Sequence, residues 1–232
     1  LGQYAVGGLV YFSQNMKSAD QLKEMISTTQ SYSKYALFFG VDEEGGDVSR
    51  VAGSGLADNV GNMAEIGATG DVTKAKEAGS SVAAYLSDYG FNVNFAPVAD
   101  VILEGNTTLG DRSFGSNAGD VAGMVAANVE GLESGGVSAC LKHFPGLGST
   151  VEDTHEGMAS SEKTLEDFET TDFLAFQAGI DAGADFVMVS HLSVPNITGD
   201  NTPSSVSEKM ITEVLRGQLG FEGVVITDAM NM

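Results

Sequence analysis

Cysteine occurs once in the 232 residues, at Cys140, and cations are scarce: eleven Lys plus Arg stand against thirty-two Asp plus Glu, a formal net charge of −21. A lone thiol excludes an internal disulfide and a cysteine-based zinc site. The anionic excess repels phosphate backbones and anionic lipid, which excludes nucleic-acid and membrane-surface binding. Long apolar runs are also missing. The longest, Tyr35 to Val41, has about seven residues, against the roughly 20 that span a bilayer. The opening LGQYAVGGLVYF has no basic segment ahead of its apolar residues, so it does not read as a signal peptide. Low-complexity tracts and short-period repeats are absent too. What remains, 42% hydrophobic and 19% charged, is the composition of a cored protein.

Six short β-rich runs punctuate the chain: GGLVYF (7–12), YALFFGVD (35–42), FNVNFAP (91–97), VSACLKHF (137–144), DFVMVSHL (185–192) and GVVITDAM (223–230). Most are continuously apolar, as parallel strands buried on both faces require. Helical patterns separate them. Ser18 and Gln21 form a capping box ahead of Leu22, Met25 and Ile26. A second helix runs from about Thr73 to Tyr89 and stops at Gly90. A third carries Val121, Met124, Val125, Val129 and Leu132 at helical spacing. A fourth opens at Thr164, with Leu165, Phe168, Phe176 and Ile180 on its apolar face, and a fifth spans roughly Ser207 to Leu219. The stretch from Ala52 to Gly70 reads as an irregular loop over one end of the sheet. Strand and helix alternate without a linker, which predicts one α/β domain with a parallel sheet.

In such folds function collects at the carboxyl ends of the strands. Those ends carry Asp42, Asp100, Lys142 with His143, His191 and Asp228. Each alone has an ordinary structural explanation, since an Asp at a strand end often caps the next helix. Five strands doing so together point to a site. The third histidine, His155, lies two residues after Asp153 in the loop GLGSTVEDTHEG. An Asp at that spacing can hold one imidazole nitrogen and leave the other for proton transfer. A divalent-metal site built from the three histidines and nearby Asp residues is the alternative, although their spacing matches no zinc signature.

Taken together, these motifs resemble glycoside hydrolase family 3, in particular its β-N-acetylglucosaminidase branch. VDEEGGDVSR (41–50) is similar to the family's D-Q-E-G-G-x-V-x-R, with Glu43 in place of Gln. NFAPVADV (94–101), GDRSFG (110–115), KHFPGLGSTVEDTHEG (142–157), MVSHLSVP (188–195) and LRGQLGFEGVVITDAMN (215–231) follow in the family's order. Leu147 stands where the branch usually has His, and Ser149 where Asp or a small residue is common. Both departures bear on leaving-group preference.

The resemblance implies a (β/α)8 barrel of TIM type with Asp228 as nucleophile, and His155 as acid/base held by Asp153. Sugar-binding positions would be Asp42, Arg50, Arg112, Lys142 and His143, with His191 beside them; no metal or other cofactor is implied. The expected reaction is retaining removal of terminal β-linked N-acetylglucosamine from murein- or chitin-derived sugars. A β-glucosidase or β-xylosidase of the same family is one alternative, and a non-catalytic sugar-binding fragment the other. The six strands would be the second to seventh of the barrel, making residues 1–232 one catalytic domain partial at both ends. Its open edges, GGLVYF and GVVITDAM, would then be prone to self-association. The acidity and near absence of cysteine point to a secreted or envelope-attached bacterial protein, with the cytoplasm as the alternative.

Overall fold

The computed structural model describes residues 6–103, 106, 109–148 and 159–231. In chain order the elements are β1 (Gly8–Tyr11), α1 (Ala19–Ser31), β2 (Phe38–Val41), β3 (Glu43–Gly45), β4 (Val48–Ser49), α2 (Met63–Ala68), α3 (Val72–Tyr89), β5 (Val93–Asn94) and α4 (Ala118–Ser134). They continue with β6 (Ser138–Phe144), α5 (Leu165–Glu169), α6 (Asp172–Asp181), β7 (Phe186–Val189), α7 (Pro195–Thr198), a wide helix of π type (Lys209–Gln218) and β8 (Val224–Thr227). The principal sheet has six strands in the order β1-β2-β5-β6-β7-β8, each paired parallel to its neighbour. All six strands of the expected sheet form, and β6 and β7 are buried almost throughout.

The sheet curls on itself. Phe38 of β2 and Phe186 of β7 meet edge to face with ring centroids 5.2 Å apart. Three inter-strand steps separate these strands, about 14 Å in a flat sheet. Strong curvature is therefore needed to bring the two side chains together across the concave face. Strand β5 is only two residues long, but asparagine amides continue its pairing. Asn92 accepts from the Phe39 N–H at 2.7 Å and donates to the Leu37 carbonyl at 2.9 Å. Asn94 likewise accepts from the Glu43 N–H at 3.0 Å and donates to the Glu43 carbonyl at 2.9 Å. A carboxamide presents an N–H donor beside a carbonyl acceptor, as a peptide group does, so it substitutes for a ladder rung.

Helices cover the convex face. Ser18 caps α1 by accepting from the Gln21 N–H, but the Gln21 side chain reaches the Lys17 N–H rather than that of Ser18. Gly90, at φ 95°, ends α3 in the left-handed conformation expected of a stop residue. Two helical expectations change. The segment expected as one helix from Thr164 is two, α5 and α6, broken at Thr170–Thr171, where the Thr171 hydroxyl turns back to the Asp167 carbonyl. That break lets Phe168 and Phe173 stack at 5.4 Å, while Phe144 contacts Phe173 and Phe176. The stretch expected as irregular holds a short helix, α2, whose Met63 is buried in the core. Among the described residues no helix is long and apolar enough to cross a membrane.

Helices α3 and α4 cross backbone to backbone. A Cβ on Gly79 would collide with the Asn128 carbonyl, and one on Gly131 with the Lys76 carbonyl. The Asn128 side chain seals the crossing by donating to the Ala75 carbonyl at 3.0 Å. Gly131→Ala should therefore force the helices apart and cost about 1–3 kcal/mol despite alanine's better helix propensity. Urea unfolding of the two proteins checks this; an unchanged or higher midpoint would show that the crossing has slack.

Candidate active site

The carboxyl end of β2 delivers Asp42, and the chain then folds into the β3–β4 hairpin through Gly45 and Gly46, both at positive φ. The hairpin returns Arg50 to β2, where its N–H donates to the Asp42 carbonyl at 3.2 Å. Glu43 secures this turn from below. Its buried carboxylate accepts from the Val51 and Ala52 N–H groups at 2.7 and 2.9 Å and from the Tyr85 hydroxyl at 3.0 Å. Burial pushes the Glu43 carboxyl above its ordinary range, against the pull of those donors. Three donors and no acceptor around it explain why a carboxylate suits this position.

Above the turn lies an alternating chain of charges. The Lys142 ammonium, at the end of β6, sits 2.9 Å from Asp42 Oδ1 and 2.5 Å from Glu44 Oε1. Glu44 in turn accepts from Arg112 Nε and Nη2, both at 2.8 Å, in a bidentate pair. Arg112 Nη2 also approaches His143 Nε2 at 3.4 Å, and His143 Nδ1 lies 2.7 Å from Asp100 Oδ2. Asp100 is fully buried and also accepts from the N–H groups of His143 and Leu147. An acceptor-only carboxylate on one side and a guanidinium on the other place the ring proton on Nδ1. Burial alone would raise the Glu44 carboxyl, but the charges of Lys142 and Arg112 outweigh it and bring it down to about 2. For Lys142, burial favours the neutral amine, yet Asp42 and Glu44 hold the ammonium above its usual range.

Several of these groups keep capacity in reserve. Lys142 spends two of its three protons. Asp42 faces Arg50 Nη2 only at 4.0 Å, and Arg50 Nε is buried without a partner among the described residues.

The end of β8 brings Asp228. Its N–H donates to the Val189 carbonyl at 2.9 Å, and its Oδ1 accepts from the Ala229 N–H at 2.7 Å. Asp228 lines the same cavity, about 720 Å³, as Asp42, Glu44, Arg50, Arg112, Lys142 and His143. Below these polar groups the cavity walls are apolar, contributed by residues such as Phe38, Phe95, Phe186 and Met188 on the concave face. His191 stands apart from that lining: Nδ1 is 2.7 Å from the Ser205 hydroxyl, and Nε2 is 3.1 Å from the Ala229 carbonyl. His155, Asp153 and Ser149 lie outside the described residues. Leu147 is buried, and its N–H is one of the groups that hold Asp100. Among the described residues no three His, Cys, Asp or Glu side chains are grouped to hold a metal ion.

The profile of the Glycosyl hydrolase family 3 N terminal domain matches residues 1–232. The chain belongs to glycosyl hydrolase family 3. It is 36% identical to a beta-hexosaminidase from Xanthomonas campestris pv. campestris over 232 residues, which cover 98% of this chain and 69% of that protein. It superposes with a TM-score of 0.91 and 34% identity on a glycoside hydrolase family 3 beta-N-acetylglucosaminidase from Paenibacillus sp. str. FPU-7, covering 98% of this chain and 44% of that one. NagZ from Neisseria gonorrhoeae, solved in complex with N-trifluoroacetyl-D-glucosamine, gives a TM-score of 0.90 at 31% identity, over 97% of this chain and 67% of NagZ. The chain thus spans about two thirds of the curated relative and less than half of the Paenibacillus enzyme.

Glu44 is the residue of this family 3 site that sequence reasoning passed over. Its signal was present. Three consecutive acids, Asp42 to Glu44, follow a buried strand, and burying carboxylates requires cations brought from elsewhere. Because its folded-state pKa of about 2 lies below the ordinary 4.5, Glu44 contributes stability above pH 4.5 that is lost as pH falls towards 2. Glu44→Gln should lower stability at neutral pH by about 3–5 kcal/mol, because the buried Lys142 and the half-buried Arg112 lose their shared anion. The gap between the two proteins should narrow as pH drops through that window. Thermal unfolding across pH 2–7 measures it, and a constant gap would refute the assignment.

Proposed function

We propose that residues 1–232 carry the catalytic centre of a retaining β-N-acetylhexosaminidase that removes terminal β-linked N-acetylglucosamine from murein- or chitin-derived sugars. The observation that carries this reading is the shared cavity. One wall presents the Asp228 carboxylate, and the other presents Lys142, Arg112 and Arg50 with hydrogen-bonding capacity left over. The names borne by the Xanthomonas, Paenibacillus and Neisseria relatives support the same substrate class. The six curled parallel strands are, on this reading, the second to seventh of an eight-stranded (β/α)8 barrel. Strands β1 and β8 would then flank the position of the remaining two, and a protein limited to these residues would associate through those edges.

Asp228 attacks the anomeric carbon while the bond to the leaving oxygen breaks, giving a covalent glycosyl-Asp intermediate. His155, oriented by Asp153, donates its proton to that oxygen and later takes one from the water that releases the sugar. Asp42 accepts from sugar hydroxyls, and Lys142, Arg112 and Arg50 donate to hydroxyl and carbonyl oxygens. His143, locked between Asp100 and Arg112, keeps the guanidinium in place.

Turnover of nitrophenyl N-acetyl-β-glucosaminide should far exceed that of nitrophenyl β-glucoside and survive a chelator; the reverse preference would make the protein a β-glucosidase. Asp228→Asn should cut turnover by roughly a thousandfold or more while leaving the fold intact. His155→Ala should slow substrates with poor leaving groups far more than activated ones, because a good leaving group needs little protonation. Equal slowing of both classes would remove His155 from the acid/base role.

A further inference from the structure

We infer that His191 is a positioning residue for Asp228: it holds the Ala229 carbonyl and so sets the direction of the neighbouring carboxylate without touching the sugar. The inference rests on the reading of Asp228 as nucleophile, and it differs from the sequence expectation that His191 belongs to the substrate-binding set. A carbonyl oxygen only accepts, so His191 Nε2 carries the proton in the 3.1 Å contact with Ala229. In the neutral ring Nδ1 is then an acceptor, and the Ser205 hydroxyl donates to it at 2.7 Å. Both ring nitrogens are spent on protein, and His191 is not among the residues lining the cavity that holds Asp228 and Lys142.

The support behind the ring is rigid. Ser205 is buried in a short 3-10 turn, Ser204–Val206, strapped to the exit of β7. The Ser205 N–H donates to the Ser190 carbonyl at 3.0 Å, and the Ser204 N–H and hydroxyl donate to the Leu192 carbonyl at 2.9 and 2.6 Å. The far end needs such support. Asp228 lies just past the last residue of β8, and hydrogen bonds tie this segment to the neighbouring strand exit. The Asp228 N–H is anchored on Val189 and the Ala229 carbonyl on His191, both at the exit of β7. Between these anchors, the Ala229 N–H points at Asp228 Oδ1 and holds the carboxylate. Freeing the Ala229 carbonyl lets this donor swing, and the carboxylate with it.

The test uses the full chain with an activated aryl N-acetyl-β-glucosaminide and a fluorosugar inactivator that traps the nucleophile. His191→Ala should lower kcat roughly 10- to 100-fold, the scale expected for a misdirected reacting group. KM should stay within about twofold, and the trapping rate should fall in parallel with kcat. His191→Gln, whose amide can still donate to Ala229, should recover kcat to within about threefold. Ser205→Ala, which leaves the imidazole but frees its far side, should lose roughly two- to fivefold. A raised KM with unchanged kcat in His191→Ala would make His191 a substrate-binding residue and overturn the inference. If His191→Ala does not fold, a folded His191→Gln protein with a tenfold or greater loss of kcat overturns it equally. Failure of the underlying reading is separate: an Asp228→Asn protein with ordinary turnover, or trapping at another residue, removes the nucleophile itself.

Discussion

Glu44 bound between Lys142 and Arg112 is the interaction on which the site depends. A buried ammonium and a half-buried guanidinium lining one cavity would repel each other and carry a desolvation cost. One carboxylate, itself almost fully buried, joins them through three short contacts. The partners come from three places in the chain: the β3–β4 hairpin, the loop after β5 and the end of β6. The pair therefore closes only when the parallel sheet is assembled. It also sets the chemistry available above it. With Glu44 ionised, Lys142 stays an ammonium and Arg112 is oriented, so hydrogen-bond donors face the cavity in a chain that is otherwise strongly anionic.

Around this pair the site is built in layers. Glu43 grips the turn that returns Arg50, using a carboxylate where three donors converge. Asp100 holds His143 and the Leu147 backbone, and His143 backs Arg112. Asp228 faces this assembly from the other side of the cavity, with His191 tying its strand exit to that of β7. The arrangement follows from the parallel sheet. Every strand ends on the same side, so polar residues far apart in sequence share one rim above an apolar interior.

Much of this was legible in the residues. The six apolar runs became the six strands because continuous burial on both faces leaves a recognisable pattern. The strand-end polar residues Asp42, Asp100, Lys142, His143 and Asp228 all reach the site or its supports. Other features were not legible because they depend on distant contacts. The break between α5 and α6 follows from how Phe168 and Phe173 stack under Phe144, which no local propensity encodes. Side-chain amides extend the pairing of the two-residue strand β5, which requires knowing which strand lies beside it. His191 reads as a site residue from its place at a strand end, but only its two hydrogen bonds reveal that its ring faces the protein.

By itself, then, the sequence determined the class of fold, the direction of the strands and the rim on which the polar residues gather, because burial period and strand-end position are local properties of the chain. The tertiary structure alone decided which charges pair. Glu44 and Arg112 are 68 residues apart, and Asp42 and Lys142 are 100 apart. A buried carboxylate takes its partner from whichever strand the curled sheet brings within about 3 Å, and that neighbour is set by topology rather than by anything written near the residue itself.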